Sequence, residues 1–245
     1  MPIIALSGIR GGAGTTSITA ALAWALCQAG ESVLAVDLSP DNLLRLHFNM
    51  PFRQARGWAR AEIDGEGWHQ GAMEYLERLA FLPFGRTTPA ERLALFEPPA
   101  PGRESWGDRL CRLRDGKRYR WILLDMPGAD TPLAQQCLPV ADHVLMVINP
   151  DANCHARLHQ QALPAGCRLL VNGYLPTSGL QHDINQLWLQ ALDGLLPVII
   201  HRDESVAEAL AAKQPLGEYR PDSNAAEEIV TLANWCLIHC PESAA

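Results

Sequence analysis

Gly8, Ile9, Arg10, Gly11, Gly12, Ala13, Gly14, Thr15 and Thr16 follow directly on the apolar run Ile3, Ile4, Ala5 and Leu6. A glycine-rich turn between a buried strand and a helix leaves backbone N–H groups unpaired at the helix N-terminus, where the aligned peptide dipoles favour an anion. Gly11, Gly12 and Gly14 let the backbone approach a phosphate that a Cβ would hold off. Thr16 stands where a hydroxyl can ligate Mg²⁺, with Thr15 and Ser17 beside it. The chemistry this pattern offers is the binding of a Mg²⁺-nucleotide. The usual phosphate loop closes on Gly-Lys-Ser/Thr, whereas this one closes on Gly14-Thr15-Thr16 and has no lysine. Residues Gly12, Ala13, Gly14, Thr15, Thr16 and Ser17 also approach the Gly-x-Gly-x-x-Gly of a dinucleotide fold, in which Asp37 would hold a ribose. The third glycine of that pattern is missing.

Positioning such a loop requires a sheet, and the chain supplies its strands as short apolar runs separated by helical patterns. Runs at 3–6, 32–36, 79–84, 121–124, 143–148, 168–171 and 196–200 read as strands. Residues 16–29, 181–192, 204–212 and 224–237 read as helices. Prolines 89, 98, 99 and 101 interrupt the stretch 86–117, which reads as a surface loop followed by a helix near 106–113. This alternation predicts an α/β, doubly wound, mostly parallel sheet with helices on both faces. The 245 residues suit one nucleotide-binding domain spanning 1–245, without repeats or a composition shift. Polar residues collect at the carboxyl ends of the runs, at Ser7, Asp37, Asp125, Asn149 and Asn172, where open α/β sheets bind ligands.

The motifs resemble those of the MinD/ParA family of P-loop ATPases, whose deviant loop reads Lys-Gly-Gly-x-Gly-Lys-Thr-Ser/Thr. Arg10 takes the place of the signature lysine, which the resemblance implies reaches across a dimer to the partner's nucleotide. Thr15 replaces the lysine that grips the β- and γ-phosphates, and Thr16 keeps the Mg²⁺ position. Residues 33–43 look like switch I: Asp37 matches its first carboxylate, Ser39 replaces the second, and Asp41 stands two residues further on. Asp41 is either a substitute for positioning water or a cap for a helix starting near Asn42. Residues 121–128 resemble the Walker B and switch II segment. There Asp125, with Asp37, would hold the water around Mg²⁺, and Gly128 would lie near the γ-phosphate. Asn172 matches the asparagine that reads adenine, and His201, Arg202 and Asp203 fall on the loop flanking the base. Residues 10–24, 40–46, 56–61, 151–164, 210–215 and 225–228 are similar to a branch of the family that serves cellulose secretion in Gram-negative bacteria. That likeness implies a cytoplasmic homodimer with ATP sandwiched at the interface. It also implies a small partner protein, with which the chain would join further subunits of the cellulose synthase complex, and peripheral placement at the inner membrane through them.

The remaining signals carry less. A net charge of −7 argues against a general nucleic-acid binder, although a ParA-like DNA-positioning role is one alternative and a nucleotide-locked scaffold without turnover is another. Seven cysteines without a Cys-x-x-Cys pair fit reduced thiols in a cytoplasm. Cys154, His155 and His159 lack a fourth ligand at convincing spacing and read as core or interface. Arginines 103, 109, 112, 114, 118 and 120 form the one basic run, read as a solvated helix face. The end of the last helix lacks a lysine-rich amphipathic tail, so direct membrane insertion is not expected.

Overall fold

A computed structural model describes residues 1–96 and 104–240. Strands β1 (Ile3–Gly8), β2 (Val33–Asp37), β3 (Met73–Leu76), β4 (Leu79–Leu82), β5 (Trp121–Asp125), β6 (His143–Ile148), β7 (Arg168–Tyr174) and β8 (Leu195–His201) form one sheet. Their spatial order is β3-β4-β2-β5-β1-β6-β7-β8. Neighbours run parallel except for the β3–β4 hairpin at one edge. The helices are α1 (Thr15–Gln28), α2 (Leu44–His47), α3 (Trp58–Ile63), α4 (Pro89–Phe96), α5 (Trp106–Asp115) and α6 (Pro132–Cys137). They continue with α7 (Ala152–Gln160), α8 (Gly179–Ala191), α9 (Ser205–Ala212), α10 (Leu216–Tyr219) and α11 (Asn224–His239).

Strand alternation divides the core. Ile4 and Leu6 of β1 face α1 and α11, while Ile3 and Ala5 face the layer built on Trp58, Trp106 and Leu110. Met146, Ile148, Leu169 and Val171 extend that second layer under α7 and α8 through Cys154, Ile184 and Trp188. Both faces of the sheet are therefore covered, which is why its central strands are continuously apolar. The fold is the doubly wound α/β sheet expected.

Two expectations need correction. Within the expected loop at 86–117, residues Pro89–Phe96 form α4. Pro89 starts that helix without breaking it, because the N–H it lacks has no partner in a first turn anyway. Pro98, Pro99 and Pro101 lie outside the described residues. The β3–β4 hairpin is not legible as a pair in the sequence, since its edge strand is half-exposed and carries no continuous apolar run.

The sheet order decides what meets at the top. Parallel pairing sets Asp37 of β2 opposite Asp125 of β5, and Asp125 opposite Leu6 of β1. Two carboxylates distant in sequence thus arrive beside the turn that follows β1.

Candidate nucleotide site

The turn is built as its glycines require. Gly12 and Gly14 hold φ of +77° and +95°, the left-handed region that side chains with a Cβ resist. Gly14 caps α1 in that conformation, and its N-cap role leaves the first helical N–H groups free. A Cβ on Gly14 would lie 2.4 Å from Asn172 Nδ2, and one on Gly8 would lie 2.8 Å from both the Arg10 carbonyl and Thr15 Oγ1. Gly11 has open space around it. Ala13 is buried, and its carbonyl accepts from Asn172 Nδ2 at 2.7 Å and Asn149 Nδ2 at 3.5 Å. Two asparagines at the ends of β6 and β7 thus clamp the loop from beside the sheet. Thr15, Thr16 and Ser17 are half-buried, with Ser17 Oγ 3.4 Å from His47 Nε2.

Beneath the loop lie the carboxylates. Asp125 is buried and its pKa is pushed up to about 7, first by burial; a hydrogen bond with Thr16 works the other way, and the charge of Asp41 adds to the rise. Its Oδ2 has no protein partner, and neither has the buried Ser7 Oγ alongside. Asp37 is raised well above the carboxylate range by burial and then by the charge of Asp125. Its Oδ1 accepts the Ser39 N–H at 2.9 Å and Oδ2 the Leu44 N–H at 3.2 Å, while its carbonyl accepts Trp58 Nε1 at 2.8 Å. Each Asp37 oxygen thereby accepts one backbone N–H that holds the loop between β2 and α2, and keeps a further lone pair. Asp41 is exposed. It does not cap α2, which begins at Leu44 without a side-chain cap; the turn instead uses Asn42, at φ +54°, whose Oδ1 accepts the Gly85 N–H at 3.1 Å.

Arg10 does not extend freely from the loop. Its Nη2 donates to Asp151 Oδ2 at 2.7 Å and its Nη1 to the Gly11 carbonyl at 3.0 Å. Asp151 is at the same time the N-cap of α7, accepting the Cys154 N–H on Oδ1 at 2.8 Å. This partner of Arg10 is one that sequence reasoning missed. The Asp-Ala-Asn start of a helix is a legible cap signal, but nothing local links it to a loop 141 residues earlier. Cys154 is buried behind Arg10, while His155 Nδ1 accepts Trp188 Nε1 at 3.1 Å, so the Cys154, His155 and His159 side chains do not converge on a common centre.

Gly128 sits across from the loop on the segment leading to α6, which Thr131 caps. Between them opens a cavity of about 580 Å³ lined by Gly8, Arg10, Gly11, Gly128, Asp130 and Arg157, among others. On the far side of Asn172, His201 is held by Glu228, which accepts the His201 N–H at 2.7 Å and faces its Nδ1 at 2.5 Å. Asp203 is occupied by the Ser205 and Ala225 N–H groups, at 2.9 and 3.2 Å, and so pins the starts of α9 and α11. Arg202 is exposed, its backbone N–H donating to the Tyr174 carbonyl at 2.8 Å. The structure therefore gathers Arg10 to Ser17, Asp37, Asp41, Asp125, Gly128 and Asn172 around one loop. His201, Arg202 and Asp203 frame its edge.

A model of the family described as cellulose biosynthesis protein BcsQ matches residues 1–237. The chain belongs to the BcsQ family. It is 52% identical to the cellulose biosynthesis protein BcsQ of Salmonella typhimurium over 242 residues, covering 98% of this chain and 95% of that one. Among solved structures, it is similar to the septum site-determining protein MinD of Pyrococcus horikoshii complexed with Mg-ADP, with a TM-score of 0.73 and 21% identity, covering 98% of each chain. It is also similar to a ParA family ATPase of Chlorobium tepidum, with a TM-score of 0.74, 19% identity, and 95% and 98% of the two chains covered. Within the BcsQ family, then, the sheet described above is the MinD/ParA P-loop fold.

Proposed function

We propose that this chain is an ATP-binding regulator that dimerises with ATP sandwiched at the interface and assembles or positions the cellulose synthase secretion machinery. The observation that carries the nucleotide is the pairing of the left-handed glycine turn with a buried carboxylate whose Oδ2 lacks a partner. Two buried carboxylates, each raised by burial and by neighbouring charge, are stabilised in their ionised form by a nearby cation. Thr16 would ligate Mg²⁺, with Asp125 and Asp37 holding its water. When bound, that ion supplies positive charge to the β- and γ-phosphates. The backbone N–H groups of Gly11 through Thr16 would hold the phosphates, and Thr15 adds a hydroxyl where lysine is usual.

One hydrogen bond orients the side chain that would meet the base. Asn172 donates one of its two Nδ2 N–H groups to the Ala13 carbonyl, which fixes the amide and leaves its acceptor oxygen and second N–H to a base. An amide held so complements the N6 amino group and N7 of adenine. His201, Arg202 and Asp203 would flank the base, with Asp203 acting through the loop it pins.

Arg10 supplies the coupling. A guanidinium matches phosphate oxygens in a fork, and in a dimer it would replace in trans the charge that Thr15 cannot give. Turnover is slow at most, since Asp37 is tied to two backbone amides and Ser39 is no base; Asp41 is the remaining group for orienting water. The proposed setting is the cytoplasm. There the chain would join BcsR, BcsE and other cellulose synthase subunits, held peripherally at the inner membrane through these partners. The test is sedimentation of the purified chain with and without Mg²⁺-ATP, followed by analysis of the bound nucleotide and of co-purifying subunits. A monomer under both conditions would overturn the reading.

A further inference from the structure

The arginine run at 103–120 is largely neutralised within the described residues. Arg109 pairs with Glu62 and Glu104, Arg112 with Glu104, Arg114 with Asp142 and Arg120 with Glu31. A different set of cations, scattered in sequence, is brought together by the fold around residues 49–54. Arg45 of α2 donates to the Pro51 carbonyl at 3.0 Å, and Arg86 beyond β4 donates to the Phe52 carbonyl at 3.0 Å. Lys213, which caps α9, donates to the Asn49 carbonyl at 3.4 Å and lies 5.5 Å from the centre of the Phe52 ring. Arg53 lies within the turn, and Arg56 follows it, donating to the Gln70 carbonyl at 2.9 Å.

Carbonyls satisfy these donors without cancelling their charge. No ion pair among the described residues joins any of the five to a carboxylate. Burial and then the charge of Arg86 lower the Arg45 pKa, against the charge of Asp37, which raises it. The Gln54 N–H closes a turn onto the Pro51 carbonyl at 3.0 Å, which puts Phe52 and Arg53 at its two corners. Both are exposed, Phe52 by 63%. The result is a braced knob with an aromatic tip and five cations that no ion pair among the described residues cancels, on a chain whose net charge is −7.

We propose that this knob contacts the anionic headgroups of a lipid surface. A protein partner would need a wide apolar centre, and Phe52 and Leu43 are the exposed large apolar residues nearby. A lipid surface asks instead for clustered cations and an aromatic that settles at the headgroup level. The local reversal of sign also favours one orientation, because the rest of the chain carries a net negative charge. The contact is peripheral, as no helix among the described residues is long and apolar enough to cross a membrane. It adds a direct attachment to the partner-mediated one and does not depend on nucleotide.

The test is co-sedimentation of the full chain with vesicles of phosphatidylglycerol and phosphatidylcholine, against vesicles of phosphatidylcholine alone, at low and high salt. Binding to the anionic vesicles alone, lost at high salt, is expected. Each cation near such a surface is worth about fivefold in partitioning, so Arg53→Glu should lower it about twenty-fivefold. Arg53 has no side-chain partner among the described residues, so its reversal leaves the chain folded. Phe52→Ala should weaken binding, and Arg118→Glu on the distant helix-end surface should not. Equal loss in Arg118→Glu, or no preference for anionic vesicles, overturns the proposal. Equally tight binding to a random DNA duplex that Arg53→Glu abolishes reassigns the knob to nucleic acid and overturns it as well.

Discussion

If Arg10 must reach a partner's nucleotide, it must first leave Asp151, and that departure has a cost that can be removed. The contact is a charge-assisted hydrogen bond of 2.7 Å between side chains 28% and 34% exposed. After solvent screening, such a pair contributes about 1 kcal/mol. Two pairs open when a dimer forms, so they oppose dimerisation by about 2 kcal/mol, or roughly thirtyfold in the dimer dissociation constant. Asp151→Asn removes the charge and keeps an oxygen to accept the Cys154 N–H, and asparagine caps helices as well as aspartate does. The amide retains a weaker bond to Arg10, so the expected tightening is roughly tenfold to thirtyfold. The assay is sedimentation equilibrium with Mg²⁺-ATP, beside Arg10→Ala, which should abolish the dimer. Helical content by circular dichroism should match that of the natural chain. An unchanged or weaker ATP dimer in Asp151→Asn, with α7 intact, would refute the idea that Asp151 holds Arg10 back.

The remaining predictions concern the loop and its carboxylates. Thr15→Lys should tighten ATP binding by the monomer about fivefold, as a charge-assisted bond replaces a neutral one, and should loosen the dependence of binding on dimerisation; calorimetric titration under dilute conditions reads both. Gly14→Ala forces a Cβ into left-handed backbone and onto Asn172, costing about 1–2 kcal/mol or more and displacing the clamp. It should lower the melting temperature and eliminate nucleotide binding together, and loss of neither would count against the clamp. Asp125 titrates near 7 in the folded chain and below that when unfolded, so the folded state holds the extra proton. Its contribution therefore turns increasingly unfavourable as pH rises from about 4 to about 7. Asp125→Asn should raise the melting temperature of the nucleotide-free chain at pH above 7, with the gain shrinking as pH falls; scanning fluorimetry across that range checks the sign.

Much of the fold was legible because its determinants are local. Buried parallel strands must be apolar throughout, so β1, β2, β5, β6 and β7 announced themselves as runs, and His143–Ile148 is legible to its ends. The β3 strand escaped because its four residues, Met73–Leu76, alternate half-buried and exposed and carry no such run. Residues Pro89–Phe96 escaped because a proline looks alike when it starts a helix and when it ends one. The short α2 and α3 held no full period to detect.

The site divides along the same line. Sequence alone determined the glycine turn, the missing lysines, Thr16, and the polar residues at the strand ends, because each depends on neighbours within a few positions. Tertiary structure decided the relations between them. Register set Asp37 beside Asp125, burial raised both, and Asn172 closed on the Ala13 carbonyl from a strand far along the chain. It also decided sign. In the arginine run that looked basic in sequence, Arg109, Arg112, Arg114 and Arg120 are neutralised by Glu31, Glu62, Glu104 and Asp142, while five cations dispersed from residue 45 to 213 meet with no ion pair among the described residues. Charge acts through space over about a Debye length, not along the chain, so only the fold could say which cations are free. The same holds for Arg10: its type and place were written in the loop, and its restraint by Asp151 was not.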